Sequence, residues 1–262
     1  SKTSEPAGSD AGSAKASSKK AVELQVFAAN SLEKALPEVQ ELYTEQTGTT
    51  FADTQFKASG DLVEQMKAGA TVDVLITASK GTMDDAETAE LVDTDTREDM
   101  FVNDLVIIRA EGSDTKVEAI ADVANLDGKI TIGDAKTVPA GKYANQALAS
   151  VGLYTGTEGD DGEYAPEIAD KVALADKVGT AAAYVSTGDC VAGFVYSSDI
   201  FRYDGIEEAF VCPEDSHKPI VYPGAVADSS EHADEAKAFI DFCLTNKKAQ
   251  KIWAKYGFEL SE

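Results

Sequence analysis

VELQVFAANSLEKALPEVQELY, residues 22–43, sets the grammar of the chain. Val22 to Ala29 is an apolar, β-prone run, and Asn30 and Ser31 make a small polar turn. Leu32, Ala35, Leu36, Val39, Leu42 and Tyr43 then recur at the spacing of one helical face. The stretch predicts strand, turn, helix. Pro37 falls beyond the first turn of that helix, where it removes a backbone donor, so a kink there or a helix that effectively begins later is expected.

The same unit recurs outward from this stretch. FADTQFKA (51–58) leads through Ser59-Gly60 into a helix, DLVEQMKAG, that stops at Gly69. VDVLITA (72–78) reads as a buried strand before a helical segment over 83–91. Further strands are expected at 104–110, 129–135, 171–176, 190–196, 208–212 and 221–227, with helices such as YANQALASVG and GTAAAYVSTG between them. The closing segment from Asp234 to Phe258 is helical, with apolar residues that pack on a core. Strands alternating with helices predict an α/β fold of mostly parallel sheets covered on both faces, with any ligand at the carboxyl ends of the strands.

Composition narrows the partners. The 262 residues carry 23 Lys and Arg against 47 Asp and Glu, a net charge of −24, which repels nucleic acid phosphates and anionic membrane surfaces. At this length two lobes are expected rather than one. No window approaches the roughly 18 to 20 apolar residues of a membrane span, and no export signal is visible. Residues 1–20 hold no large apolar side chain and are expected to be a disordered tether. Such a stretch is what remains when an exported protein has lost its signal, with a lipidated cysteine ahead of it in many Gram-positive proteins; a cloning remnant or frayed terminus is the alternative.

Catalytic signatures are missing. His217 and His232 lie in a turn and at a helix start, and there is no H-E-x-x-H, G-x-S-x-G, Ser-x-x-Lys or phosphate-binding glycine motif. Cys190, Cys212 and Cys243 show no C-x-x-C pair and no nearby histidine, which argues against a metal site. One disulfide is open to an exported protein, but free thiols acting as small apolar residues are expected. The acidic, Gly-rich 155–166 segment lacks the spacing of a calcium loop and reads as a solvated loop.

The sequence is rich instead in strand-to-helix corners bearing hydroxyls and small residues: 28–31, 58–60, 137–141, 177–179 and 195–198. A helix N-terminus leaves its first backbone N–H groups without internal partners and carries about half a positive charge, so such corners favour anions. Ser31 and Ser59 can each also be read as a plain N-cap.

From about Ala21 to Phe258 these corners and their surroundings are similar to the molybdate-binding proteins of ABC importers. The resemblance rests on VFAANSLEKAL (26–36), FKASGDLVEQMKAGATVDVLITAS (56–79), NDLVIIR (103–109), ITIGDAKTVPAGKYANQAL (130–148), AGFVYSSDI (192–200), Tyr222-Pro223 and KYGF (255–258), in that order. The GDxxTVPAGxYAxxAL block is the most family-specific. The resemblance implies a two-lobed periplasmic-binding-protein type II fold with the ligand in the cleft. Residues 21–102 and 222–262 would form lobe I and 103–221 lobe II, with crossings near Asn103 and Tyr222. It further implies that Ser31, Ser59, Ala140, Val178 and Tyr196 hold the dianion through hydroxyls and backbone N–H groups, with no direct metal ligand and no cofactor. Asn30 stands where the family has a small residue and Lys57 where it often has glycine, so both are candidates for altered selectivity. DKVGTA around Val178 departs from the family's usual segment. Lys57 is the one charged residue expected to help.

The implied function is capture of molybdate, and of tungstate, by a monomeric extracytoplasmic protein, either periplasmic or lipid-anchored on the outer face of the cytoplasmic membrane, that serves a permease and its ATPase. A pocket of donors alone suits a fully deprotonated oxyanion, whereas monohydrogen phosphate needs an acceptor. Sulfate, thiosulfate or another tetrahedral oxyanion is the alternative within this fold. An enzyme using Ser59 or Tyr196 would need a base the sequence does not supply, and a sensor domain would need an attached DNA-binding segment.

Overall fold

The computed structural model describes residues 21–261, so the tether expected over 1–20 lies outside the described residues. Two mixed sheets carry the fold. The six-stranded sheet runs, edge to edge, through Glu259–Leu260, Glu98–Asn103, Ile220–Val226, Val74–Ile76, Val26–Ala29 and Gln55–Lys57. The five-stranded sheet runs through Ile206–Val211, Leu105–Ala110, Ala192–Tyr196, Ile130–Gly133 and Val172–Ala175. A separate parallel pair joins Glu23–Leu24 to Thr50–Phe51.

The expectation of mostly parallel sheets is corrected. Val26–Ala29 pairs in parallel with both neighbours, and Ile130–Gly133 does the same in the other sheet. Leu105–Ala110 and Ile220–Val226, by contrast, are antiparallel to each of their partners. The reason is geometric. Strands such as Glu98–Asn103 run toward the cleft, and the chain that crosses there must enter the next sheet running away from it. The first crossing is a single residue, Asp104, between Asn103 and Leu105. The return strand, Ile220–Val226, pairs back onto Glu98–Asn103, with Ile220 opposite Asn103 and Tyr222 opposite Phe101.

Glu98–Asn103 and Glu259–Leu260 were not legible as strands, because EDMFVN and EL offer short apolar runs flanked by acids and only tertiary pairing makes them extended. The helix after the opening strand begins at Ala35, which puts Pro37 in its first turn, where no intrahelical partner is lost. The C-terminal segment is two helices, Ala233–Thr245 and Lys247–Lys255. They are split at Asn246, whose side chain accepts from the N–H groups of Lys248 and Ala249.

The main apolar core is continuous between the sheets, from Leu24, Val74 and Trp253 to Ile107, Val195 and Ile132. Phe101, Tyr222, Phe258 and Tyr196 stack edge-on near the crossing, with Tyr222 5.9 Å from Tyr196 and 5.7 Å from Phe258. Cys190, Cys212 and Cys243 are separate buried thiols within this packing. The 155–166 loop is pinned to helix Pro139–Ser150: Asn145 donates to the Gly159 carbonyl at 2.7 Å and Gln146 to that of Glu158 at 2.9 Å. Asp161 ties the loop internally by accepting from the N–H of Glu158.

Candidate functional site

The corners named from the sequence meet at one cavity between the sheets. It is lined by Ser31, Ser59, Ala140, Val178 and Tyr196, together with Asn30 and Lys57, so all seven positions named from the sequence are brought to it. Neighbouring wall is supplied by Ala29, Ala58, Ala78, Val138 and Pro139. The cavity measures about 20 Å³, on a scale where one water takes roughly 10 to 15 Å³. It suits an ion of a few atoms.

Ser59 is the first residue of helix Ser59–Lys67, Ala140 the second of Pro139–Ser150 and Val178 the first of Val178–Ser186. None of these three helices has a side-chain cap. Among the described residues, the backbone N–H groups of Ser59, Gly60, Ala140, Val178 and Gly179 find no protein acceptor. Three helix dipoles therefore converge on the cavity with their donors unspent. Helix Pro139–Ser150 reaches its place because residue 141 is glycine: a Cβ there would lie 1.9 Å from the Gly133 carbonyl oxygen at the end of strand Ile130–Gly133.

The first corner differs from expectation. Asn30–Leu32 is a single 3₁₀ turn and the α-helix starts three residues later, so Ser31 brings a hydroxyl rather than a helix dipole. The cap reading also fails for both serines. Ser31 lies inside the 3₁₀ turn, and Ser59 is a helical residue whose Oγ accepts the Ala78 N–H at 2.9 Å.

The three hydroxyls at the cavity differ in their hydrogen-bond partners. Ser59 Oγ already accepts, so its O–H is left to donate. The Tyr196 hydroxyl is buried without a hydrogen-bond partner. Ser31 Oγ lies 2.7 Å from the Tyr222 hydroxyl. Burial pushes the Tyr196 and Tyr222 phenols well above their ordinary values, so both keep their protons. The wall is largely apolar, carries hydroxyl, backbone N–H and ammonium donors, and has no carboxylate among its residues.

Behind Tyr196 lies a buried ion pair. Asp199 accepts from the Tyr196 N–H at 2.9 Å and from Arg202 Nη1 at 2.7 Å. Burial raises the Asp199 carboxyl and the Arg202 guanidinium pulls it back. Arg202 also reaches Glu33 at 3.2 Å, across the cleft from the strand end that carries Tyr196. Sequence patterning gives no sign of this bridge, because its members are charged residues in ordinary turn and helix-start positions. Lys177 is a further addition. It lies on the cavity rim opposite Lys57, both side chains are exposed, and neither forms an ion pair among the described residues. Lys57, the charged residue named from the sequence, thus lines the cavity together with a second lysine that the sequence reading did not name.

Two mixed sheets joined by crossings at a donor-lined cleft define a solute-binding protein, and the chain belongs to the bacterial extracellular solute-binding proteins, whose family model matches residues 24–259. Among its relatives, the molybdate-binding protein ModA of Escherichia coli (strain K12) is 32% identical over 90% of this chain and 89% of its own. YvgL of Bacillus subtilis (strain 168), provisionally named an ABC transporter substrate-binding lipoprotein, is 28% identical over 96% of this chain and 92% of its own. The substrate-binding domain of a provisionally assigned molybdenum ABC transporter from Clostridium difficile superposes with a TM-score of 0.70 at 33% identity, covering 92% of this chain and all of that one.

Proposed function

We propose that this protein captures molybdate, and the isostructural tungstate, outside the cytoplasm and delivers it to the permease and ATPase of an ABC importer. Ser31, Ser59 and Tyr196 donate through hydroxyls and Ala140 and Val178 through backbone N–H groups. The protein acts as a monomer held to the outer face of the membrane by a lipid, binds without a cofactor and performs no chemistry on its ligand. The observation that carries this reading is a cavity of about 20 Å³ lined by the unpartnered Tyr196 hydroxyl and by backbone N–H groups at three helix starts that find no protein acceptor among the described residues. A fully deprotonated tetrahedral oxyanion accepts from all of them and donates none. Monohydrogen phosphate brings a proton for which the wall has no carboxylate acceptor. Donors held by backbone cannot contract around a smaller tetrahedron, which disfavours sulfate.

Ligand completes a shell drawn from both sides of the cleft, so binding stabilises the closed arrangement. Isothermal titration with molybdate, tungstate, sulfate, thiosulfate and phosphate tests this. The expected result is tight 1:1 binding of the first two. Heat from sulfate or thiosulfate alone would transfer the assignment to that ion, and silence from all five would end it.

A further inference from the structure

We propose that Tyr222 and Asn103, neither of which lines the cavity, are positioning residues that force the Ser31 hydroxyl to donate into it. The Asn103 side chain has a determined orientation. Its Oδ1 lies 3.0 Å from the Asp104 backbone N–H, which can only donate, and also accepts from Ser197 Oγ at 2.7 Å. Its Nδ2 therefore donates, to Ser198 Oγ at 2.8 Å and to the Tyr222 oxygen at 3.3 Å. The Tyr222 side chain is wholly buried, and among the described residues its hydroxyl has two hydrogen-bond partners, Asn103 Nδ2 and Ser31 Oγ. Asn103 Nδ2 cannot accept, so the Tyr222 proton has one destination, Ser31 Oγ. That leaves the Ser31 proton no route back to Tyr222, and it turns to the cavity that Ser31 lines.

The relay has a second consequence. Asn103 ends the strand that leads into the first crossing, and it holds Ser197 and Ser198, the residues that follow Tyr196. One amide thus ties the turn bearing Ser31 to the strand end bearing Tyr196, and the donors from the two sides are oriented from a shared point. Tyr222 is placed for this by the register shift between Tyr222 and Pro223 in strand Ile220–Val226.

The inference rests on the proposed oxyanion function, and a double-mutant cycle separates the two. Molybdate affinity is measured for the native chain, Ser31→Ala, Tyr222→Phe and the double variant, with thermal unfolding of each ligand-free protein as the folding control. Tyr222→Phe keeps the ring packing and removes the hydroxyl. Expected is a loss of about tenfold in the native background and less than about twofold in the Ser31→Ala background. Discrimination between molybdate and monohydrogen phosphate should also narrow in Tyr222→Phe, since Ser31 Oγ regains a lone pair able to accept. Asn103→Asp offers the Tyr222 proton a competing acceptor, so its loss should be larger in the native than in the Tyr222→Phe background, a comparison in which the added charge cancels. Equal losses in both backgrounds, or no loss from Tyr222→Phe, would overturn the relay while leaving the function standing. A native chain that binds no molybdate overturns both.

Discussion

Tyr196 carries a buried hydroxyl with no partner in the protein, whereas Ser59 carries one that already accepts the Ala78 N–H. The two therefore respond differently to truncation. Tyr196→Phe removes an unsatisfied buried group, so ligand-free stability should stay level or rise. Oxyanion affinity should fall by about 1.5 to 3 kcal/mol, the range for a hydrogen bond to a charged group. Ser59→Ala should weaken binding and also cost about 1 to 3 kcal/mol of stability, because the Ala78 N–H is left buried and unpaired. Chemical denaturation beside calorimetric titration distinguishes them; a Tyr196→Phe protein that loses stability but not affinity would remove Tyr196 from the site. Both lie at corners legible from strand-end and turn chemistry, while their choice as donors comes from the family resemblance. Their opposite hydrogen-bond states were not legible, because a backbone donor 19 residues along the chain decides one of them.

At the scale of elements, the site is made by where helices begin. Ser59–Lys67, Pro139–Ser150 and Val178–Ser186 start at the cavity without caps, and those starts follow from small residues and Pro139 at strand ends. The first corner is not a fourth such helix start: apolar spacing from Leu32 onward cannot tell a 3₁₀ turn from the head of an α-helix, and the α-helix begins only at Ala35, within the later start that Pro37 allowed. Far from the site, helix Ala35–Thr47 is tied to the C-terminal helix region through Glu38. The Tyr256 hydroxyl, then Lys255, hold the Glu38 carboxyl below its ordinary value. A carboxyl depressed in the folded state contributes stability above its unfolded pKa, and that contribution is lost as pH falls through the folded value. Native protein should thus lose this increment on acidification below the usual carboxylate range, and Glu38→Gln should lose less there. Denaturant midpoints across pH 3 to 7 for the two proteins check it, and parallel curves would refute it.

The whole molecule poses an electrostatic problem, since a net charge of −24 repels the dianion the cavity is built to hold. Salt screens that field over about 8 to 10 Å, and Lys57 and Lys177 stand at the rim from opposite sides of the cleft. Replacing both by glutamine should slow molybdate association on the order of tenfold at low ionic strength, with a smaller effect at high salt and little change in dissociation. Stopped-flow fluorescence across a salt series measures this. An effect confined to dissociation would place the lysines in direct contact with the ligand instead.

The sequence by itself determined the α/β grammar and the corners, and through the family resemblance of blocks such as GDxxTVPAGxYAxxAL it named the candidate donors, because periodicity, turn residues and motifs are local properties of the chain. Only the tertiary structure decided the mixed sheet directions, the size of the cavity, the Arg202–Glu33 bridge and the direction of the hydroxyl protons. Each of these depends on groups brought together from afar. Ser31 owes its role to Tyr222, 191 positions away, and Tyr222 takes its partner from Asn103, another 119 positions from it. A proton's orientation is set by whichever acceptors surround it, and no local pattern records them.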